Sequence, residues 1–150
     1  MINPARIRLT PSAPDDFERI LALRLVALRE SLERLGRYDP ERARARLARE
    51  FDTRYLRLIE VDGAFAGCVS LKPDGDGLTI EHFYVDLAFQ NQGLGGIVMA
   101  MLLAEADAAR KPVRLGVLKQ SDANRFYQRH GFVETHQEDY DIYYLRPMGG

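Results

Sequence analysis

The sequence predicts an α/β fold built on a mixed, mainly antiparallel central sheet of six to seven strands, with helices on both faces. Three observations predict it. Segments with helical and strand periodicity alternate along the 150 residues. Two turn signals join three consecutive strands into a meander, and a glycine-rich turn then leads into a long amphipathic helix. Chains of about this length usually form one domain, and no repeat or linker divides this one. We therefore expect a single domain over residues 1–150.

The first part of the chain predicts one strand and two helices. Ile7-Arg8-Leu9 forms a short strand, and turn and capping residues follow through Asp15. A long helix comes next, ended by Gly36, and Asp39-Pro40 opens a second helix that runs to about Phe51. The apolar residues of the first helix recur at spacings of three and four and form its core face: Phe17, Ile20, Leu21, Leu25, Leu28, Leu32 and Leu35.

The middle of the chain predicts the three-stranded meander. Its first strand, Tyr55–Val61, ends at Asp62-Gly63, a dipeptide that favours a tight hairpin. The second strand covers Ala64–Leu71. A turn rich in proline and glycine separates it from the third strand, Leu78–Val85.

The rest of the chain returns to alternating helices and strands. The helix after the glycine turn is amphipathic and ends before a strand at Val113–Leu118. Ser121 caps a short helix over 122–130, which Gly131 stops. Two further strand-like segments follow: Phe132–Thr135 and Asp141–Leu145.

Composition excludes several classes of function. A net charge of −1 argues against a general nucleic-acid binder, which is usually strongly basic. No apolar run approaches the roughly 18 residues of a membrane span, and residues 1–6 lack the apolar core of a signal peptide. The one cysteine, Cys68, lies in an apolar strand, where we expect a buried residue rather than a nucleophile. We expect a cytoplasmic monomer or homodimer that binds neither nucleic acid nor membrane.

The glycine-rich turn Gln90-x-x-Gly93-x-Gly95 lies where a predicted strand meets a helix. The first N–H groups of a helix lack intrahelical acceptors and carry partial positive charge, so a phosphate bound there satisfies them. Glycine also marks tight turns that bind nothing. A nucleoside-triphosphate loop needs a lysine after its last glycine, but none lies between Lys72 and Lys111. A dinucleotide-binding turn would lie in the first strand-turn-helix unit. Both of these phosphate loops are disfavoured.

A second motif, Phe126-Tyr127-x-x-x-Gly131-Phe132, lies downstream of the first. Together the two resemble the GNAT superfamily of N-acetyltransferases: the glycine turn is similar to its acetyl-CoA loop, and the second motif to the end of its fourth conserved segment. Both motifs occur in the family's order and at its usual separation. The resemblance covers roughly residues 5–147 and implies a GNAT-like fold that uses acetyl-CoA as cosubstrate and no metal.

The resemblance also implies how the cofactor is held. Backbone N–H groups of the glycine turn bind the pyrophosphate, and the main chain of the meander's third strand pairs with the pantetheine arm. A backbone N–H on that strand is the expected oxyanion donor. Relatives often have asparagine near position 121, and here Gln120, Ser121 or Asn124 would replace it. The expected cofactor-binding residues are Phe83, Val85, Gln90, Gln92, Gly93, Gly95, Gly96, Ser121 and Asn124.

Acetyl transfer to an amine also needs a base and a proton donor. An alkyl amine has a pKa near 10, so only about one molecule in a thousand is neutral at pH 7. Glu81 and His82 are the candidate bases, and we favour Glu81, directly or through water. Strand alternation predicts Glu81 on the same face as Phe83 and Val85, and His82 on the opposite face. Tyr127 resembles the family's tyrosine that protonates the departing thiolate, and an aromatic core residue is the alternative.

The sequence therefore predicts an N-acetyltransferase that moves the acetyl group of acetyl-CoA to a primary amine of a small molecule or peptide by direct attack. The alternative is a non-catalytic module that binds acyl-CoA as a sensor or structural partner. An acidic segment over 134–141 would give an amine a negative approach surface. Acceptor contacts are expected on the first two helices and the last strands, at Arg24, Glu30, Tyr38, Glu134, Asp139 and Tyr143.

Overall fold

One open sheet of seven strands organises the computed structural model, which describes residues 2–149. The strands are β1 (Ile7–Pro11), β2 (Leu56–Val61), β3 (Ala64–Asp74), β4 (Gly77–Val85), β5 (Val113–Leu118), β6 (Val133–Gln137) and β7 (Asp141–Arg146). The helices are α1 (Phe17–Arg34), α2 (Pro40–Glu50), α3 (Leu94–Ala108) and α4 (Ala123–Arg129). The strand order is β1-β2-β3-β4-β5-β7-β6, and β4–β5 is the one parallel pair in it. The predicted fold class is confirmed.

Short local signals produce the first half of the sheet. Asp62 and Gly63 join β2 to β3 and have φ angles of 52° and 83°, the positive values that a tight type I′ hairpin needs. Gly75 turns the chain between β3 and β4 with φ 59°. The predicted meander β2-β3-β4 is present, and β1 adds to its outer edge by pairing with β2.

Helices cover both faces of the sheet and create two cores. On one face, α3 and α4 pack against the sheet around Val98, Leu102 and Tyr127. On the other, α1 and α2 enclose a smaller core that includes Ile20 and Leu47. Within residues 2–149, no helix is both long and apolar enough to cross a bilayer.

The parallel strands β4 and β5 are paired over a short stretch only. Their ladder consists of Leu78 opposite Val113 and Thr79 opposite Arg114. Beyond these pairs the two strands diverge, so residues 80–85 of β4 face an opening instead of β5.

A β-bulge interrupts β4 in this diverging part. Ser70 of β3 pairs with Glu81, and Cys68 pairs with Tyr84, so two residues of β4 stand opposite Val69. These residues are His82, with φ 51°, and Phe83. A bulge of this kind bends a strand and re-aims its side chains.

Because of the bulge, the prediction from strand alternation is wrong for Glu81, whereas His82 lies on the face opposite Phe83 and Val85 as predicted. Phe83 and Val85 pack against the core under α3 and α4. Glu81 lies on the other face: its Oε2 is 3.9 Å from His82 Nε2, which in turn contacts Glu50 at the end of α2. Because the bulge inserts one residue, the alternation is reset between Glu81 and Phe83.

Candidate active site

A cleft of about 790 Å³ opens where β4 and β5 diverge. Residues of β4, β5 and β7 form its walls, and side chains from both helical layers reach it. Tyr127 enters from α4 on one face of the sheet, and Arg24 enters from α1 on the other.

The N-terminus of α3 lies just beyond the end of β4. Its N-cap is Gly93, with φ 79° and ψ 7°, and no side chain caps it. The first turn contains no acidic residue. Ile97 N–H donates to the Gly93 carbonyl at 3.2 Å, so the N–H groups of Leu94, Gly95 and Gly96 precede the first intrahelical bond. N–H groups of this kind can bind an anion, and a phosphate site at this helix N-terminus stays a prediction.

The two predicted glutamines support this turn through their side chains. Gln90 Nε2 donates to the Val85 carbonyl at 2.9 Å, and Gln92 Nε2 donates to the Ala88 carbonyl at 3.2 Å. The Gln92 carbonyl accepts from the Ile2 N–H at 3.2 Å. Both side-chain amide nitrogens are thus engaged in fixing the loop that joins β4 to α3.

The end of β4 presents to the cleft a backbone edge that β5 does not cover. Asp86 N–H donates to the Ala66 carbonyl at 2.8 Å, which fixes the direction of the backbone groups at the strand end. By alternation, the N–H and C=O groups of Phe83 and Val85 point away from β3. The contact between Gln90 and the Val85 carbonyl agrees with this direction. An edge of this kind suits an extended amide-containing chain such as pantetheine, and that pairing stays a prediction.

Tyr127 belongs to an aromatic cluster and also lines the cleft. Its ring packs edge-on against Phe126 and Phe132, with centroids 5.3 and 5.7 Å apart. Burial raises the pKa of its hydroxyl well above the ordinary value. Tyr127 is one of the residues that line the cleft. The side chain therefore presents a protonated hydroxyl at the cleft wall, which a proton donor requires.

Ser121 and Asn124 hold α4 in place. Ser121 Oγ accepts from the Ala123 N–H at 3.1 Å, as expected of a cap. Asn124 Nδ2 donates to the carbonyls of Leu118 and Ser121 at 3.0 and 2.8 Å. Its Oδ1 accepts from the Tyr144 hydroxyl at 2.8 Å. Both amide donors of Asn124 are used internally, so of the two residues Ser121, which lines the cleft, is the better placed to contact a cofactor.

A polar cluster lies on the opposite face of β4, against α1 and α2. Arg24 is 8% exposed, and its Nη1 lies 3.2 Å from His82 Nδ1 and donates to the Tyr84 hydroxyl at 2.5 Å. Arginine can only donate, so Nδ1 accepts and the neutral imidazole carries its proton on Nε2. Burial raises the pKa of Tyr84 to about 12, which keeps this hydroxyl neutral.

Glu50 completes the cluster and was missed by the sequence analysis. His82 Nε2 lies 3.1 Å from Glu50 Oε1, in a contact too bent for a well-formed hydrogen bond. The imidazole of His82 and, less strongly, the charges of Arg46 and Arg24 lower the pKa of Glu50 to about 2 although burial opposes this. Nδ1 of His82 accepts from Arg24 and Nε2 carries the ring proton, so neither nitrogen offers a lone pair to an incoming ammonium.

Glu81 keeps one free acceptor. Its Oε1 lies 3.2 Å from Lys72 Nζ, and its buried Oε2 has no hydrogen-bond donor within the described residues. Glu50, Glu81 and His82 could each place one ligand atom within 4.8 Å of the others. However, His82 Nε2 carries a proton in the tautomer that Arg24 selects, so this arrangement suits hydrogen bonding better than metal coordination.

Two of the six predicted acceptor contacts, Arg24 and Tyr143, line the cleft. Tyr143 stacks on His136 with ring centroids 4.6 Å apart, and a Cβ at Gly116 would lie 2.9 Å from its ring. The absence of a side chain at Gly116 thus makes room for this ring. The other four predicted contacts do not line the cleft: Glu30, Tyr38, Glu134 and Asp139.

Comparisons with known proteins agree with this fold. The profile of the Acetyltransferase (GNAT) domain matches residues 28–142. Among solved structures, the chain is similar to the PaiA N-acetyltransferase of Thermoplasma acidophilum in complex with coenzyme A, with TM-score 0.74 and 13% identity, covering 94% of this chain and 98% of that one. A GNAT-family acetyltransferase of Staphylococcus aureus gives TM-score 0.71 and 13% identity over 95% and 99% of the two chains. Ard1 of Thermoplasma volcanium gives TM-score 0.65 and 24% identity over 93% and 95%.

A search of curated proteins finds no match. The fold and the match to the domain profile together define an acetyltransferase. The chain belongs to the GNAT family.

Proposed function

We propose that the protein is an N-acetyltransferase that transfers the acetyl group of acetyl-CoA to a primary amine of a small molecule or peptide. One observation carries the proposal. The splayed strands β4 and β5 bring an uncovered strand edge, Tyr127 and the cluster around Glu81 to a single opening, and the uncapped N-terminus of α3 follows shortly after the end of β4. The similarity to a coenzyme A complex supports the choice of cofactor.

In the proposed reaction, the first N–H groups of α3 bind the pyrophosphate and the edge at Phe83 and Val85 binds the pantetheine arm. Glu81 takes the proton of the acceptor ammonium, and the neutral amine attacks the thioester carbonyl. A backbone N–H near Phe83 stabilises the oxyanion. The tetrahedral intermediate collapses with cleavage of the C–S bond, and Tyr127 protonates the departing thiolate. The second proton that the attacking nitrogen loses returns to Tyr127 through water, and Glu81 releases the first proton to solvent.

Direct attack agrees with the state of Cys68. This residue is fully buried, donates its Sγ–H to the His82 carbonyl at 3.2 Å, and has a pKa that burial raises to about 12. Such a thiol is a poor nucleophile. We therefore propose no covalent enzyme intermediate.

The competing hypothesis is a module that binds acyl-CoA without turnover. Thiol release from acetyl-CoA in the presence of a panel of amines, amino acids, polyamines and peptides separates the two. An enzyme releases coenzyme A only when an acceptor is present, and Cys68→Ala retains this activity. A module shows a melting shift with acetyl-CoA but no acceptor-dependent release, and that result would refute the proposal.

A further inference from the structure

Arg24 is a buried cation without an anionic partner. It lies on the inner face of α1 and forms no ion pair within residues 2–149. Its Nη1 is used by His82 and Tyr84, both of which are neutral acceptors. Its Nε is buried and makes no hydrogen bond. A buried charge without a counter-ion is costly, so the site is incomplete as a purely structural element.

The unused donors of Arg24 form one edge of its guanidinium group. Nη2, like Nε, donates to no residue in the described part of the chain. Together, the Nε–H and Nη2–H groups make the planar fork that binds a carboxylate through two parallel hydrogen bonds. Glu50 is near enough for Arg24 to lower its pKa, but Glu50 Oε1 contacts His82 and Arg46 instead.

Charges of opposite sign lie at the two ends of the His82 ring. Arg24 lies at Nδ1, while the carboxylates of Glu50 and Glu81 lie 3.1 and 3.9 Å from Nε2. A small molecule lying along this ring meets a cation at one end and two carboxylates at the other. That pattern is complementary to a zwitterion, with its carboxylate at Arg24 and its ammonium at Glu81.

We propose that Arg24 binds a carboxylate of the acceptor, and that the acceptor is an amino acid or another small amine bearing a carboxylate. The inference depends on the proposed N-acetyltransferase activity and specifies its substrate class. A simple amine or polyamine would leave the fork of Arg24 without an acceptor and is disfavoured.

The test measures kcat/KM from thiol release with acetyl-CoA and matched acceptors. The panel contains the standard amino acids, β-alanine and γ-aminobutyrate, each compared with its amide and its decarboxylated amine. Truncating one partner of a buried charge pair costs at least about 2 kcal/mol, so the wild type should prefer the acid over its amide by about 30-fold or more. In Arg24→Gln this preference should nearly disappear, mainly through a higher KM for the acid.

Arg46→Gln is the matched control. Arg46 is the neighbouring cation of the cleft, but it is already paired with Glu50 at 3.4 Å. Its replacement should leave the ratio of acid to amide unchanged. Equal use of acid and amide by the wild type, or a preference that persists in Arg24→Gln, would overturn the inference while leaving the acetyltransferase proposal intact.

If no acceptor supports thiol release, that result counts against the proposed activity. The carboxylate site at Arg24 can then still be tested by measuring ligand binding directly. Isothermal titration of the coenzyme A-saturated protein would then compare N-acetylated amino acids with their amides. Binding of the acids that Arg24→Gln abolishes would support a carboxylate site at Arg24. Equal binding of acids and amides, or no binding of either, would overturn it.

Discussion

Replacing Gly93 by alanine should separate folding from the binding of acetyl-CoA. Gly93 holds φ 79° and ψ 7° at the N-terminus of α3, and this conformation sets the direction of the chain as it enters the first turn, whose N–H groups no side chain caps. An alanine in the left-handed region costs roughly 1–2 kcal/mol. The strain can lower the folding stability of the variant. Alternatively, the turn can change conformation to relieve the strain, and the N–H groups of the first turn then no longer point at the pyrophosphate.

The expected effect on acetyl-CoA binding follows from the number of backbone N–H groups that the variant withdraws from the pyrophosphate. At about 100 times Kd, a ligand stabilises the wild type by roughly 2.7 kcal/mol. Losing two hydrogen bonds to the charged pyrophosphate, at about 1.5 kcal/mol each, weakens Kd about 100-fold. The same ligand concentration then stabilises Gly93→Ala by only about 0.4 kcal/mol.

Gly36→Ala is the matched control. Gly36 follows α1 with φ 67°, and a Cβ there would meet no atom within 4 Å. Both variants should melt at a lower temperature than the wild type without ligand. With acetyl-CoA, the wild type and Gly36→Ala should gain about 5–10 °C, and Gly93→Ala less than about 2 °C. A full gain in Gly93→Ala would refute the assignment of this helix N-terminus as the pyrophosphate site.

Three further variants test the remaining groups. Tyr127→Phe should lower kcat by about ten- to a thousandfold with unchanged affinity for acetyl-CoA, and normal turnover would show that the ring only packs. Glu81→Gln should lose activity at neutral pH and regain it at high pH or with a low-pKa aromatic amine; if His82→Gln shows that behaviour instead, His82 is the base. The pKa of Glu50 is lowered to about 2 in the folded protein, so its charge adds stability above about pH 4.5 that is lost as the pH falls towards 2. From pH 5 to pH 3, the free energy of unfolding measured in urea should therefore fall by about 1–2 kcal/mol less in Glu50→Gln than in the wild type. An equal fall in both proteins would contradict the lowered pKa of Glu50.

Features set by neighbouring residues were predictable from the sequence. Asp62-Gly63 predicts its hairpin because few other residues tolerate two successive positive φ angles. Asp39-Pro40 predicts the start of α2, where the Asp39 carboxylate accepts from two backbone N–H groups. The glycine turn predicts the start of α3 for a similar reason: its conformation is encoded within a few residues.

Features set by distant contacts were not predictable in the same way. Glu50 ends an arginine-rich helix, a composition typical of a solvated face, and only the packing of α1 and α2 against β4 brings it to His82. The bulge at His82 and Phe83 has no glycine or turn residue to signal it. It depends on the register between β3 and β4, which single-strand alternation does not contain.

The bulge itself can be tested by comparing His82→Gly with His82→Ala. Both variants lose the contacts with Arg24 and Glu50, so they differ only in a Cβ at a position with φ 51°. In a regular strand glycine is less stable than alanine by about 0.5–1 kcal/mol. At the bulge the order should reverse, with His82→Gly more stable by about 1 kcal/mol in urea unfolding, because only glycine adopts this φ without strain. If alanine proves the more stable, β4 is regular at this position, Glu81 returns to the face of Phe83 and Val85, and the separation of the cofactor edge from the acceptor cluster would be lost.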